Sequence, residues 1–214
     1  MTGRTHTFAR FVAPLALFAA VVGGCAPADT GGSTAQSTST APTLPTVPYA
    51  PTTSKAPATP EAADYRRLLL TAAELTDADD TFNQRSQESQ PNGVPGASAF
   101  FVNDEDNRAI SDTFLVYKDA ATATATLRQA SATLPSLVVG GPPTPVPVGT
   151  DGVMVKGSYP DEDKDVTLLM FTEGNALVRL EFQSAKGDPT TDQFVTSVGK
   201  MQQIALRIGL DDSE

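Results

Sequence analysis

The chain of 214 residues is poor in the side chains that enzymes use as nucleophiles and metal ligands. It has one cysteine, one histidine and no tryptophan. A single cysteine cannot close a disulfide within the chain, so a folded domain here must rest on its apolar core. Basic residues are also scarce, with 15 Lys and Arg against 25 Asp and Glu, a net charge of −10. Such a balance opposes binding to nucleic acid and adhesion to anionic lipid headgroups. Long apolar runs are missing as well. The uncharged stretch from Phe11 to Val22 has only 12 residues, whereas a helix needs about 20 to cross a bilayer.

That short stretch has its own logic. Arg4 and Arg10 precede it as a positive n-region, and Val22-Gly23-Gly24-Cys25 follows. Residues 1–24 therefore read as an export signal. An aliphatic residue, two small ones and a cysteine resemble the lipobox of bacterial lipoproteins. Small side chains at Gly23 and Gly24 let the backbone lie extended in a peptidase cleft, while the Cys25 thiolate accepts a diacylglycerol group. Cleavage between Gly24 and Cys25 frees an amine for a further acyl chain. Each buried methylene contributes about 0.8 kcal/mol and one chain alone holds only marginally, so two or three make a stable anchor. Cys25 is the expected lipidation site, and the expected location is the extracytoplasmic face of the cell membrane.

Cleavage there would remove His6 together with Arg4 and Arg10. It would leave 13 Lys and Arg against 25 Asp and Glu, a net charge of −12. Ser-His-Asp and Cys-His mechanisms would then be unavailable, as would zinc sites built on His or Cys. No catalytic residue, cofactor or metal site is expected, and the membrane partner is reached through the acyl chains on Cys25.

After the lipidated Cys25, residues 26–61 are rich in Thr, Ser, Pro and Ala, with Pro42, Pro45, Pro48, Pro51, Pro57 and Pro60 spaced along them. This composition cannot bury enough apolar surface to fold and reads as an extended tether. Its threonines are candidate carriers of O-linked sugars.

Residues 62–214 carry the patterning of one globular domain. Thr71-Ala72-Ala73-Glu74 fits a helical capping box. Strands are expected around Phe82, over Ala99–Val102 and over Thr113–Tyr117, with a polar turn at Asn103–Arg108. Asp119–Leu134 reads as a helix with Asp119 as N-cap and Pro135 as its stop. Its inward stripe is Ala120, Ala123, Leu127, Ala130 and Leu134. The proline-rich stretch from Gly140 to Gly149 reads as a rigid connector, and Gly140-Gly141 lacks the spacing of a phosphate loop.

Strands follow at Gly152–Ser158, Asp165–Thr172 and Asn175–Ser184. "VTLLMF" is apolar on both faces, as a central strand would be. In "ALVRLEF", Val178, Leu180 and Phe182 share one face while Arg179 and Glu181 point to the other. Asp188-Pro189 is the expected opening of the last helix. Phe194, Val198, Met201, Ala205 and Ile208 are its expected buried stripe, and Gly209-Leu210 its stop. The expected class is α+β: a largely antiparallel sheet with helices packed on one side.

Two acidic clusters stand out. Asp161, Asp163 and Asp165 alternate as calcium ligands can, but an EF-hand loop would need Gly where Val166 stands and Glu where Thr172 stands. The cluster reads as a solvated turn, and Asp104-Glu105-Asp106 is the other dense group. Paired carboxylates could support glycoside hydrolysis, yet the aromatic surface a sugar cleft uses is sparse. Phe100, Phe101, Phe114, Met154, Met170, Phe171, Phe182, Phe194 and Met201 read first as core, and alternatively as the lining of an apolar pocket.

Taken together, the Val22–Cys25 motif, the Thr/Pro tether, "LLLTAAEL", "LVYKDAATA" and "PVPVG" resemble secreted lipoproteins of mycobacteria and related actinobacteria. The order of elements also resembles, more distantly, the extracellular sensor domain of mycobacterial receptor Ser/Thr kinases. Those domains typically carry disulfide cysteines that this chain lacks, so no pocket residue transfers from them. The resemblance implies a non-enzymatic envelope lipoprotein whose head binds an amphiphile, a cell-wall component or an envelope protein. The alternatives are a carboxylate-dependent envelope hydrolase and a purely structural or accessory subunit.

Overall fold

A computed structural model of the chain describes residues 64–211. The expected export signal, Gly24–Cys25 cleavage position, Cys25 lipidation site and tether lie outside the described residues. A 3-10 turn, Tyr65–Leu68, precedes a single helical turn α1, Ala72–Leu75. The Glu74 carboxylate accepts from the Thr71 N–H at 2.7 Å and from its hydroxyl at 2.8 Å, so the box reaches back onto Thr71 as its spacing predicts.

Eight strands and two longer helices complete the domain. The strands are β1 Phe82–Ser89, β2 Gly96–Asn103, β3 Arg108–Val116, β4 Val139–Gly140, β5 Thr144–Pro145, β6 Thr150–Ser158, β7 Lys164–Glu173 and β8 Ala176–Ala185. Helix α2 is Ala120–Leu137 and α3 is Asp192–Asp211. They form one sheet in the order β1-β2-β3-β8-β7-β6-β4, with β5 also on β6, and each pairing is antiparallel. The α+β class with an antiparallel sheet is therefore as the sequence predicts. Gly174, at the first position of the two-residue β7–β8 turn, has φ +55°, which suits the tight hairpin its "EG" signals.

The helices do not share one side of the sheet. Leu127 and Leu134 of α2 pack with Leu168 and Met170 of β7, whereas Val195, Val198 and Leu206 of α3 pack with Leu169 and Phe171. Successive β7 residues point to opposite faces, so α2 and α3 cover opposite faces. The physical reason lies in β7 itself: Val166–Thr172 is buried throughout, and apolar surface on two faces needs two covers. The expectation of helices on one side is corrected accordingly.

Five local expectations are also corrected. Pro135 does not end α2, which runs on to Leu137. Its missing N–H forfeits one bond of the last turn, while buried Leu134 and Val138 and half-buried Leu137 hold the turn against β6 and β7. The proline-rich connector contributes β4 and β5 to the sheet. Gly140 of β4 faces Gly157 of β6, and a Cβ on Gly140 would lie 2.0 Å from the Lys156 carbonyl oxygen. Close backbone approach explains that glycine. Helix α3 begins after Thr191, whose hydroxyl accepts from the Phe194 N–H at 3.3 Å, leaving Asp188 outside to pair with Arg108. Finally, Gly209 is not a stop: it lies within α3 and is buried, and a Cβ there would meet Leu68 Cδ2 at 2.1 Å. Ile208 is 61% exposed rather than buried.

Strand β1 is an edge, exposed along its length after Phe82 and interrupted by a bulge between Gln84 and Ser86. Charged residues and a bulge blunt such an edge against pairing with another chain.

Candidate functional site

Among the described residues, two concavities and one sealed acid have chemical potential. The larger concavity is a groove of about 570 Å³ where the end of β3, the start of α2, the β7–β8 turn, the Tyr65–Leu68 turn and the end of α3 converge. Tyr65, Val116, Leu206 and Leu210 give it apolar walls. Its volume falls in the range of small-molecule pockets, roughly 300–1,000 Å³.

The polar rim of this groove is held by structural bonds. Asn175 Nδ2 donates to the Tyr117 carbonyl at 2.8 Å, and the Tyr117 N–H donates back to the Asn175 carbonyl at 2.9 Å. These fix the hairpin turn to the end of β3. Glu173 accepts from Arg207 Nε at 2.9 Å and from Gln203 Nε2 at 2.8 Å, fastening α3 to the same turn. Asp119 caps α2 by accepting from the Thr122 N–H at 2.7 Å, as its position predicts. That bond and those around it hold the Asp119 carboxyl below its usual range. Lys118 stands beside it with a side chain 81% exposed, at 3.8 Å from the Asp119 carboxylate.

The smaller concavity, about 110 Å³, lies between the β1 start, the β3 start and the segment before α3. Phe82, Ile110, Phe182 and Phe194 form its floor. Phe82 and Phe194 stack with centroids 6.3 Å apart, and Phe182 meets Phe194 edge-on at 6.2 Å. The carboxylates around it are engaged in the fold: Asp77 accepts from the N–H groups of Asp79 and Asp80, and Asp80 pairs with Arg108 at 3.1 Å.

Asp112 is the sealed acid. It lies on β3 between Leu180 and Ala99, fully buried within the α3-side core. Burial pushes its carboxyl up to about 7, and the hydrogen bond from the Leu70 N–H opposes that rise. It lines neither concavity. The sequence held a signal for it: Ile110, Asp112, Phe114 and Val116 share one phase of a period-two strand, so the aspartate falls on the buried face.

A polar patch sits on the opposite face of β8. Glu181 accepts from Arg179 at 2.6 Å and from Gln183 at 2.7 Å, and Arg179 reaches the Tyr159 hydroxyl at 3.5 Å. Burial, aided by the charge of Glu181, raises the Tyr159 phenol above its usual value.

The acidic clusters lie in two turns at one end of the sheet. Asp161 and Asp163 are exposed in the β6–β7 turn, while Asp165 has joined β7, where it pairs with Lys186 at 3.2 Å and accepts from the Gly187 N–H at 2.8 Å. Asp104, Glu105 and Asp106 form the β2–β3 turn. Among the described residues, no group of three or more His, Cys, Asp or Glu is placed to hold a metal ion. No helix among them is long and apolar enough to cross a membrane.

The phenylalanines and methionines are divided between the two faces. Phe101, Phe114, Met154, Phe171 and Phe182 are buried on the α3 side with Phe194 and Met201 packed against them, and Met170 lies on the α2 side. They build core. Of the nine, only Phe182 and Phe194 border a concavity, the smaller one.

No protein-family model matches the chain, and no curated protein does. A solved structure that matches is the extracellular domain of PknH from Mycobacterium tuberculosis, at 11% identity and a TM-score of 0.48, over 67% of this chain and 96% of that one. The similarity is weak, and no residue role passes from that domain to this chain.

Proposed function

We propose that the chain is a non-enzymatic lipoprotein of the cell envelope, anchored by acyl chains on Cys25 and holding an α+β domain outside the cytosol on a Thr/Pro-rich tether. One observation carries this reading: Val22-Gly23-Gly24-Cys25 closes a stretch with a basic start and a 12-residue apolar run. The domain contributes the groove beside Tyr65 and Leu210, whose apolar walls and exposed Lys118 suit an amphiphile with an acidic end. Against hydrolysis stands the chemistry of the carboxyls. A glycosidase needs one proton-holding acid and one ionised partner across a cleft, and among the described residues the acid raised to about 7 is sealed in the core.

The test is expression of the full chain in an actinobacterial host fed an alkyne-tagged fatty acid. The label is expected on Cys25 after cleavage behind Gly24, with the protein in the detergent phase of a two-phase split. Cys25→Ala should lose both label and detergent partitioning. An unlabelled protein that keeps its first 24 residues would end the anchoring proposal. For the groove, native mass spectrometry of the host-purified protein is expected to show a bound mass that disappears on solvent extraction. A bare mass before extraction would remove the amphiphile.

A further inference from the structure

Residues 68–70 join the start of the domain to its core, and three bonds from separate elements hold this stretch and its neighbour. Arg67 Nη2 donates to the Gly209 carbonyl at 3.0 Å, Gln202 Nε2 donates to the Leu68 carbonyl at 3.0 Å, and the Leu70 N–H donates to Asp112 Oδ2 at 3.3 Å. Asp112 and Gln202 are both fully buried, and each keeps one oxygen, Oδ1 and Oε1, without a hydrogen-bond partner. Each side chain thus holds the segment with one atom and buries one acceptor without a donor. On Asp112 a carboxylic acid proton keeps the group neutral, whereas ionisation would leave an uncompensated buried charge.

Among the described residues, no charged group compensates an anion there. Beside Asp112 in the sheet are Leu180 and Ala99, with Ile110 and Phe114 next along β3. On the Tyr65–Leu68 turn, Arg66 is taken by Asp64, Arg67 by Gly209, and Tyr65 rests edge-on against Phe114. On α1, Glu74 is bonded to Thr71. On β8, Arg179 and Glu181 point to the opposite face, and at the β3 start Arg108 pairs with Asp80 and Asp188. On α3, Lys200 is exposed, Asp192 pairs with Lys156 and Arg207 with Glu173. Strand β2 carries no charge.

We propose that residues 68–70 are a pH-sensitive latch, docked on the sheet while Asp112 keeps its proton and loosened as the surroundings turn from acid to neutral. A buried, unpaired carboxylate is strongly disfavoured, and the segment bonded to Asp112 through the Leu70 N–H is part of its cover. Arg67, Leu68 and Gly209 would part together, since Leu68 packs into the space left by Gly209. The latch does not depend on membrane anchoring.

Amide hydrogen exchange on the full chain, read at Leu70 and at Leu169 and Leu180 between pH 4.5 and 8.5 and corrected for intrinsic rates, tests it. Protection at Leu70 is expected to fall about tenfold per pH unit up to about 7 and then level off, because opening releases one proton below that point. Leu70 should also exchange faster than Leu169 and Leu180 at neutral pH. Asp112→Asn, which keeps an acceptor for Leu70 and adds a donor, should abolish the slope. Equal exchange at all three amides across the range, or an unchanged slope in D112N, would overturn the latch. If D112N does not fold, the carbon-13 titration of the wild-type Asp112 carboxyl decides: a midpoint near 7 supports it and one below 5 sinks it.

Discussion

Gly199 of α3 lies so close to Leu169 of β7 that a Cβ on the glycine would come within 2.5 Å of Leu169 Cδ2 and 3.0 Å of Val148 Cγ1. Both neighbours are fully buried, so neither can swing into solvent. In an exposed helix, Gly→Ala gains about 1 kcal/mol. Here overpacking, typically about 1–3 kcal/mol, opposes that gain. Gly199→Ala is therefore expected to lower stability by about 1 kcal/mol, read as a lower midpoint in urea. A raised midpoint would show that α3 sits less tightly on β7 than this distance implies.

The inward face of α3 makes a second comparison. Leu206 is fully buried, whereas Ile208 is 61% and Ile204 53% exposed. Leu206→Ala should cost about 2–5 kcal/mol through lost transfer energy and a residual cavity. Ile208→Ala should stay within about 0.5 kcal/mol of wild type. Thermal melts of the two variants side by side would separate them, and similar losses would restore the stripe that runs through Ile208.

Much of this fold was legible because local signals agreed with each other. Asp119 before an alanine-rich run, the "EG" turn and the alternation in "ALVRLEF" each pointed to the element that forms. The misplacements have physical causes. Ile208 follows Ala205 by three and Met201 by seven, so spacing alone admitted it, but the tight contacts at Gly199 and Gly209 set the face of α3 that lies inward. Small residues carry no hydrophobic signal, and their meaning emerges only when a neighbour such as Leu68 is seen against them. The two-sided cover was encoded in "VTLLMF", since a strand apolar on both faces requires a layer on each. Asp112 was readable as an inward aspartate. Leu70, which donates to it, is 42 positions away and could not be found by spacing. The groove was likewise hidden, because it is assembled from the ends of five elements.

Stability should depend on pH through Asp112. Its folded carboxyl titrates at about 7, above the ordinary value of 3.8. Between these values the folded state holds a proton that the unfolded state has lost, so stability falls as pH rises. Asp112 should contribute nothing variable below about 3.8, a loss growing toward roughly 4 kcal/mol between there and 7, and no further change above. Urea unfolding of wild type and Asp112→Asn at intervals from pH 4 to 8 would isolate this contribution as the difference between the two curves. A constant difference would mean that the acid is not proton-linked to folding.

Asn103 offers the opposite pH dependence on substitution. It is buried at the end of β2, where its Nδ2 donates to Asp80 Oδ1 at 2.5 Å and Asn107 Oδ1 at 2.8 Å. Its Oδ1 accepts from the N–H groups of Asn107 and Arg108 at 3.0 and 2.9 Å, which closes the β2–β3 turn. Asn103→Asp keeps the accepting oxygen but puts a second acceptor, charged at neutral pH, where the amide donated to Asp80. Loss of a buried donor against a carboxylate should cost about 2–4 kcal/mol at pH 7. In acid a proton on the introduced carboxyl restores a donor toward Asp80, so the deficit relative to wild type should shrink. Paired denaturation curves at pH 7 and 3.5 check this, and a deficit that stays the same at both would place the cost in the turn backbone instead of the Asn103–Asp80 contact.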